Sequence, residues 1–401
     1  MTAFGIFWGM LMLIILVGMG FGFNNGVVAT LKTIPSNSIF YFTRNTSKAY
    51  KGFAKGRYWN IENHDLDIIN ARYGNVIDKL VPVNMCGTMK CSYEERSEEY
   101  SVMGTTNGYF NSIPQKLICG RFLNDIDQKE RRKVCVIGEK ICNNLYRGDV
   151  NPCGKIIKVG EIYYTIVGVA KETSGIINFG SNVSETVHVP LSTCQLAYGQ
   201  GQKIYTLIAT LKSNCPAQVW EDKLSAVLKE IHYINPDDTQ ALRAFNLADI
   251  LEKFDLLFLG IYILIWIIGA GTLLAGLIGV SNIMLVTVKE RTNEIGIRRA
   301  IGASPFTILS QIMSESVVIT VVSGIVGIVL GVWILQAVDI LTAGTAGMGD
   351  GTDAQGFANP QIPFSIAIVS FLILVIGGFV AGWMPAQRAM KIKAIDALRD
   401  E

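Results

Sequence analysis

Charge is what this sequence has least of. Only 17% of its 401 residues are Asp, Glu, Lys or Arg, against about 25% in soluble domains. Half are hydrophobic without counting the 40 glycines. That composition excludes a disordered chain and argues against a cytosolic globule. A formal net charge of +2 carries no footprint of a nucleic-acid partner. No phosphate-binding loop is present. The Gly-Lys pair is Gly154-Lys155, followed by Ile156, and Asp149 occupies the first glycine position of that motif. Nucleophile-elbow and HExxH patterns are also missing, so catalytic chemistry is not expected. The three histidines, His64, His188 and His232, are scattered and the cysteines form no paired CxxC units, which speaks against zinc. No cofactor is expected in this chain.

Charge is wholly absent from Met1–Leu31, Leu256–Val288, Ser316–Val338 and Ala354–Gln387. Mostly apolar runs of ~18 or more residues are membrane-span candidates, because a helix must cross about 30 Å of hydrocarbon. The expected organisation is a membrane helix over 1–24, a large outer domain over 25–253, and a stalk and second helix over 254–288. A short cytoplasmic segment over 289–305, a third helix over 306–338, a short outer loop over 339–361, a fourth helix over 362–386 and a tail over 387–401 follow. The first span lacks the basic start and cleavage site of a signal peptide and reads as a retained helix. Lys289, Arg291, Arg298 and Arg299 lie between spans two and three, and Arg388, Lys391, Lys393 and Arg399 in the tail. The 339–361 loop has no basic residue. The positive-inside rule then puts 289–305 and the tail in the cytoplasm and the large domain outside.

The outer segment reads as α+β. Lys155–Val159 and Ile162–Val169 flank Gly160 as a hairpin; Val134–Ile137, Thr186–Val189 and Ile204–Leu211 are strand candidates. Pro216–Ile231 has helical spacing, and Ala244–Ile268 reads as one helix entering the membrane. All eight cysteines fall in this segment, which points to disulfides of open connectivity. Cys86 and Cys91, five apart in a polar stretch, are the leading pair. Cys135, inside an apolar strand, reads as a buried thiol.

Three spans carry GxxxG, as Gly5/Gly9, Gly327/Gly331 and Gly378/Gly382, and Gly271/Ala275/Gly279 repeats the spacing. These faces serve either packing within one bundle or dimerisation. Glu315 is the ionisable residue well inside a span. It reads as a packing or capping group beside Gln311 more readily than as a proton relay. One acid and four spans argue against a secondary transporter.

The most informative stretch is Val288–Ser304, VKERTNEIGIRRAIGAS. Glu290, Glu294 and Arg298 fall at i, i+4, i+8 on one helical face, Ile295, Ile297 and Ile301 add an apolar side, and Gly302 is a stop signal. This stretch resembles the signature of MacB-type ABC transporter permeases, whose relatives include the Lol lipoprotein-release subunits and FtsX. Thr2–Gly9, Lys155–Ala170, His188–Leu191, Pro385–Ala389 and Ala397–Glu401 resemble that family in the same order. The family usually has a cytoplasmic segment before its first helix, whereas this chain begins almost inside that helix. Asp-Pro is frequent in the family's tail where Lys393-Ala394 stands here.

The resemblance implies a bacterial inner-membrane protein with its large domain in the periplasm. It implies a dimer with a second permease copy or paralogue, and a separate cytoplasmic ATPase subunit that holds ATP and Mg. A periplasmic adaptor or substrate is the further partner expected, and no nucleic acid. Glu290, Arg291, Glu294, Ile295, Gly296, Arg298, Arg299, Gly302 and Ala303 would form the ATPase-coupling helix. Its movement would be relayed outward by mechanotransmission, for efflux or lipoprotein release. The alternative is an FtsX-like regulator that activates a periplasmic enzyme without transport.

Overall fold

The computed structural model describes residues 2–31, 34–146, 151–172, 182–346 and 360–390. Most of the expected loop 339–361 and the tail from 391 lie outside these residues. The chain divides into two compact units. Residues 27–255 form an outer unit, and described residues 2–26, 256–346 and 360–390 form a membrane unit.

The first helix is α1 (Thr2–Leu31). The outer unit then runs β1 (Ser38–Thr43), β2 (Ile61–Glu62), α2 (Asn63–Tyr73), β3 (Ile77–Tyr93), β4 (Arg96–Thr105), α3 (Asn107–Ser112) and β5 (Gln115–Gly120). It continues through α4 (Asp125–Lys129), β6 (Val134–Gly138), α5 (Glu139–Tyr146), β7 (Ile156–Val159), β8 (Ile162–Glu172), β9 (Thr186–Pro190) and α6 (Leu191–Ala197). It closes with β10 (Lys203–Ile204), β11 (Thr206–Leu211), α7 (Ala217–Ile231) and β12 (Leu242–Asn246).

One mixed ten-stranded sheet follows the order β12-β1-β11-β3-β4-β9-β6-β8-β5, with β7 bridging β3 and β8. The β4–β9 and β6–β8 pairs are parallel and the others antiparallel. β3 runs through both halves. Its first residues pair with β11 and its later ones with β4. Two hydrophobic cores form on this frame. One gathers Ile39, Tyr41, Ile61, Leu207, Leu224 and Leu228; the other gathers Cys91, Cys135, Ile157, Tyr164, Val187 and Val189.

Ala244–Asn246 is strand, not the start of the long helix. These residues pair with Ile39–Tyr41 of β1, and that ladder outweighs their helical spacing.

The Cys86–Cys91 pairing is corrected by the structure. Both lie on β3, and five residues of extended chain separate them by roughly 16 Å at about 3.3 Å per residue. A disulfide needs Cα atoms within about 7 Å. The register of the β3–β4 pair shifts between Met85 and Gly87, which makes Cys86 the extra residue of a β-bulge. From there it bonds Cys194 on α6, with the Cα atoms 6.5 Å apart. Across the sheet, a Cβ at Gly104 would lie 2.7 Å from the Cys194 Cβ, so the bond needs glycine there. Cys91 and Cys135 are buried free thiols, and burial pushes Cys91 up to about 12.

His188 on β9 is fully buried, with the rings of Tyr109 and Phe110 at 5.4 and 5.5 Å. Neither of its ring nitrogens has a hydrogen-bond partner. Desolvation lowers its pKa to about 3, so the folded domain holds the imidazole neutral. Asp127 and Asp238 are opposed cases. Burial would raise them, but hydrogen bonds and arginines around Asp127, and Ser47, Lys48 and Ala241 around Asp238, hold both below the usual carboxylate range.

The membrane unit contains four helices long and apolar enough to cross a bilayer, among the described residues. They are α1, α8 (Leu247–Glu290), α10 (Pro305–Ala346) and α11 (Phe364–Met390), with α9 (Thr292–Ala300) between α8 and α10. α1 is the most enclosed of the four, burying Ile6, Met10, Leu13, Ile14 and Val17. Glycine sets how closely its neighbours approach. A Cβ at Gly9 would lie 3.2 Å from the Thr272 carbonyl oxygen on α8, and one at Gly327 would lie 2.9 Å from the Phe7 carbonyl oxygen. Gly5 abuts Gly276 and Gly331 abuts Ile14. On the far side of α10, Gly378 faces Thr320 and Gly382 faces Ser316, whose hydroxyl donates to the Gly378 carbonyl at 3.2 Å. The three GxxxG faces are thus occupied inside one chain. Gly271 and Gly279 meet nothing within 4 Å.

The buried imidazole makes stability pH-dependent. A histidine whose folded pKa lies below its unfolded value takes up its proton on unfolding, so stability is lost as pH falls from about 6.5 toward 3. Lowering the pH from 7 to 4 should cost on the order of 3 kcal/mol, read as a falling urea midpoint of the detergent-solubilised chain. His188→Leu should flatten this slope. Asp127, Asp238 and Glu98, all held low, add to the loss at the acid end and Glu221, raised by burial, opposes it, so the difference between the parent chain and His188→Leu isolates the histidine.

Candidate functional site

The site expected from sequence is the elbow between α8 and α10. α8 stops at Glu290 because the Thr292 hydroxyl donates to the Lys289 carbonyl oxygen at 2.7 Å and Arg291 leaves helical geometry. Glu290 therefore ends one helix, while Glu294 and Arg298 belong to the next. The single face expected for the three residues is split at Arg291. α9 ends as the Ala303 amide donates to the Arg298 carbonyl oxygen at 3.0 Å and Gly302 takes φ +104°. Only glycine enters that region without strain. Ser304 then caps α10, receiving the Thr307 amide at 3.2 Å on its hydroxyl, with Pro305 as the first helical residue.

Three contacts fix α9 in place. Ile295 is only 8% exposed and packs in the apolar cluster that holds Met284, Val288, Ile308 and Ile312. Gly296 beside it is buried. Arg291 pairs with Glu315 at 3.5 Å, and Arg298 donates to the Gln311 side-chain oxygen at 2.8 Å. Between the three helices lies a cleft of about 80 Å³ rimmed by Thr287, Glu294, Gln311 and Glu315. Sequence reading left Glu315 a solitary acid and found Gln311 as a neighbour. It missed that two arginines of the signature reach back to these residues. The signal was the pair of polar residues four apart, Gln311 and Glu315, on an otherwise apolar helix. Their partners depend on the angle set at Gly302.

The opposite side of the elbow is open. Ile297 is exposed, Ile301 is 82% exposed and Phe306 75%. Glu290, Glu294 and Arg298 are also exposed. Large apolar side chains grouped within a polar rim are the pattern of a contact surface. Among the described residues no group of three His, Cys, Asp or Glu side chains could hold a metal.

Four membrane-spanning candidates, a large α/β domain between the first and second, and a short amphipathic helix between the second and third define a multi-pass membrane protein with a periplasmic-type domain. Residues 1–227 match the MacB-like periplasmic core domain family, and residues 258–394 match the FtsX-like permease C-terminal family. The chain belongs to the MacB-like permeases. It is 26% identical over 403 residues to the macrolide export ATP-binding/permease protein MacB of Bdellovibrio bacteriovorus, covering all of this chain and 59% of that one. It is 29% identical over 327 residues to the uncharacterized ABC transporter permease YknZ of Bacillus subtilis, covering 80% and 76%. The chain thus spans about three fifths of the MacB relative's length. The crystal structure of the periplasmic region of MacB from Actinobacillus actinomycetemcomitans aligns with a TM-score of 0.46 at 18% identity, over 57% of this chain and 97% of that one.

Removing either polar tie should loosen the elbow. Exposed ion pairs and hydrogen bonds are worth about 1 kcal/mol or less, so Arg291→Ala or Gln311→Ala should speed tryptic cleavage at Arg299 by up to about fivefold. The assay uses the detergent-solubilised chain, and rates equal to the parent chain would show that the ties do not hold α9.

Proposed function

We propose that this chain is the permease subunit of an ABC transporter and that the α8–α9–α10 elbow receives a separate cytoplasmic ATP-binding subunit. The observation that carries the reading is the two-sidedness of α9. Ile295, Arg291 and Arg298 bind it to the long helices, while Ile297, Ile301 and Phe306 are left uncovered on the other side. A helix so fastened moves with α8 and α10 when pushed, and the uncovered residues supply the place to push. The names of the relatives, export ATP-binding/permease proteins, support the same reading.

On this reading the elbow is cytoplasmic, as its arginines require. ATP and Mg sit on the partner, and this chain hydrolyses nothing. α8 extends for 44 residues, about 66 Å at 1.5 Å per residue, which is twice what a bilayer needs. Its excess is the lever by which ATPase closure reaches the outer domain, for export of a substrate taken from the outer side. A second permease copy or paralogue completes the transporter.

Purification of the tagged chain from its native membranes should recover a P-loop ATPase. Ile301→Glu should reduce that recovery at least tenfold, and Glu294→Ala with Arg298→Ala should lower stimulated ATP hydrolysis while the outer domain stays folded. Recovery of outer-side proteins alone, under conditions that preserve other ABC complexes, would replace the proposal with a regulatory role.

A further inference from the structure

Seven of the eight cysteines surround the second core of the outer unit, and one disulfide, Cys86–Cys194, already closes there. A second pair of sulfurs lies at the edge of the same core. Cys119 on β5 and Cys153, in the turn leading into β7, hold their Sγ atoms 2.6 Å apart. Both side chains are half-buried and pack against the core from one side.

The backbone has cleared room for this approach. Cys119 pairs with Val169 of β8 in a stretch where the β5 register shifts by one residue. Cys153 is held further along the same edge of β8, opposite the edge that β6 occupies. Its amide donates to the Asn151 side chain at 3.0 Å, and the next amide, of Gly154, donates to the Ile166 carbonyl oxygen at 2.7 Å. Beside the two cysteines Gly120 pairs with Gly168. Gly120 has φ +77°, and a Cβ there would lie 2.9 Å from the Cys153 sulfur and 2.8 Å from the Gly168 Cα. A side chain at position 120 would collide with the Val167 carbonyl oxygen and crowd the Cys153 sulfur.

We propose that Cys119 and Cys153 form a second disulfide of the outer domain. Two thiols lose two protons and two electrons as the S–S bond forms. The oxidant is a disulfide on the outer side of the membrane, either a thiol–disulfide oxidoreductase or a small-molecule disulfide. One cysteine thiolate attacks it to give a mixed disulfide and release a thiolate. The second cysteine then attacks the mixed disulfide, releasing the second thiol and closing the bond. The compartment suits the chemistry, because disulfides persist in oxidising spaces outside the cytoplasm.

The bond has mechanical meaning. β5 is the last strand of the sheet, paired only with β8 among the described residues. An edge strand held by one ladder is the part of a sheet most open to fraying and to wrong pairing. Cys119–Cys153 ties the end of that strand to the base of the β7–β8 hairpin, its neighbour along the same edge of β8. Cys142 lies near both sulfurs, yet it belongs to α5 and is buried. The proposal leaves it reduced. The inference stands on the geometry of the outer unit and is independent of any ATPase contact.

The test is thiol counting on the full chain, extracted from membranes with alkylating agent present and never reduced. After denaturation, mass spectrometry should find Cys91, Cys135, Cys142 and Cys215 alkylated, and peptides of Cys119 and Cys153 joined. Cys119→Ser should add one label, at Cys153. If both residues are alkylated, a second sample extracted without alkylating agent is treated with oxidised glutathione before denaturation and labelling. Closure of Cys119–Cys153 then supports the site as a reversible pair. Persistent alkylation of both, or linkage of either one to Cys142, overturns the proposal.

Discussion

The close approach of helix backbones around α1 governs the membrane unit. Hydrocarbon offers no hydrophobic driving force between helices, so association rests on how many atoms can touch. At Gly5, Gly9, Gly327 and Gly331 the missing side chains let α8 and α10 pack onto the α1 backbone itself. α11 joins through Gly378 and Gly382, where Ser316 and Thr320 fill the gap and one hydroxyl bonds across. This geometry determines where α8 ends and α10 begins. It is also what allows a nine-residue helix, α9, to be caught between them. The elbow is thus a consequence of the bundle, and its exposed face is what remains after the buried face is committed.

What was legible in the sequence followed physical scale. Four uncharged runs announced four spans because lipid tolerates almost no charge over that length. The elbow was legible because charge, isoleucine and Gly302 alternate within one short segment. The hairpin of β7 and β8 was visible from its β-branched residues around Gly160. Long-range matters were not. The cysteine partners depend on a bulge at Cys86 that inserts one residue into β3, and on α6 lying across from it, more than a hundred residues later. The β3–β4 hairpin was hidden because its tight turn is Glu94-Glu95 rather than Asn-Gly, with Glu94 at φ +51°. Ala244–Asn246 shows the same limit in miniature, since a partner strand far away in sequence decided its conformation.

The charged signature illustrates how a motif read as one group is divided by its fold. All its residues were identified as one functional group. The structure divides them by face. Arg291 and Arg298 turn toward α10, where Glu315 and Gln311 receive them, while Ile297 and Ile301 point away. A substitution at Arg298 therefore alters how α9 is held as well as what its surface offers. Activity measurements alone would not separate the two effects. The rate at which a protease enters the elbow does separate them.

The length of β3 carries a consequence of its own. One strand supplies the ladder for β11 in the first core and for β4 in the second, so neither core has a complete sheet without the other. Melting either half would leave half of β3 with orphaned amides and carbonyls. The outer domain should therefore open as a single cooperative foldon. Slow hydrogen exchange along Val81–Cys91 would share one opening free energy, even though the hydrophobic residues are gathered in two separate groups.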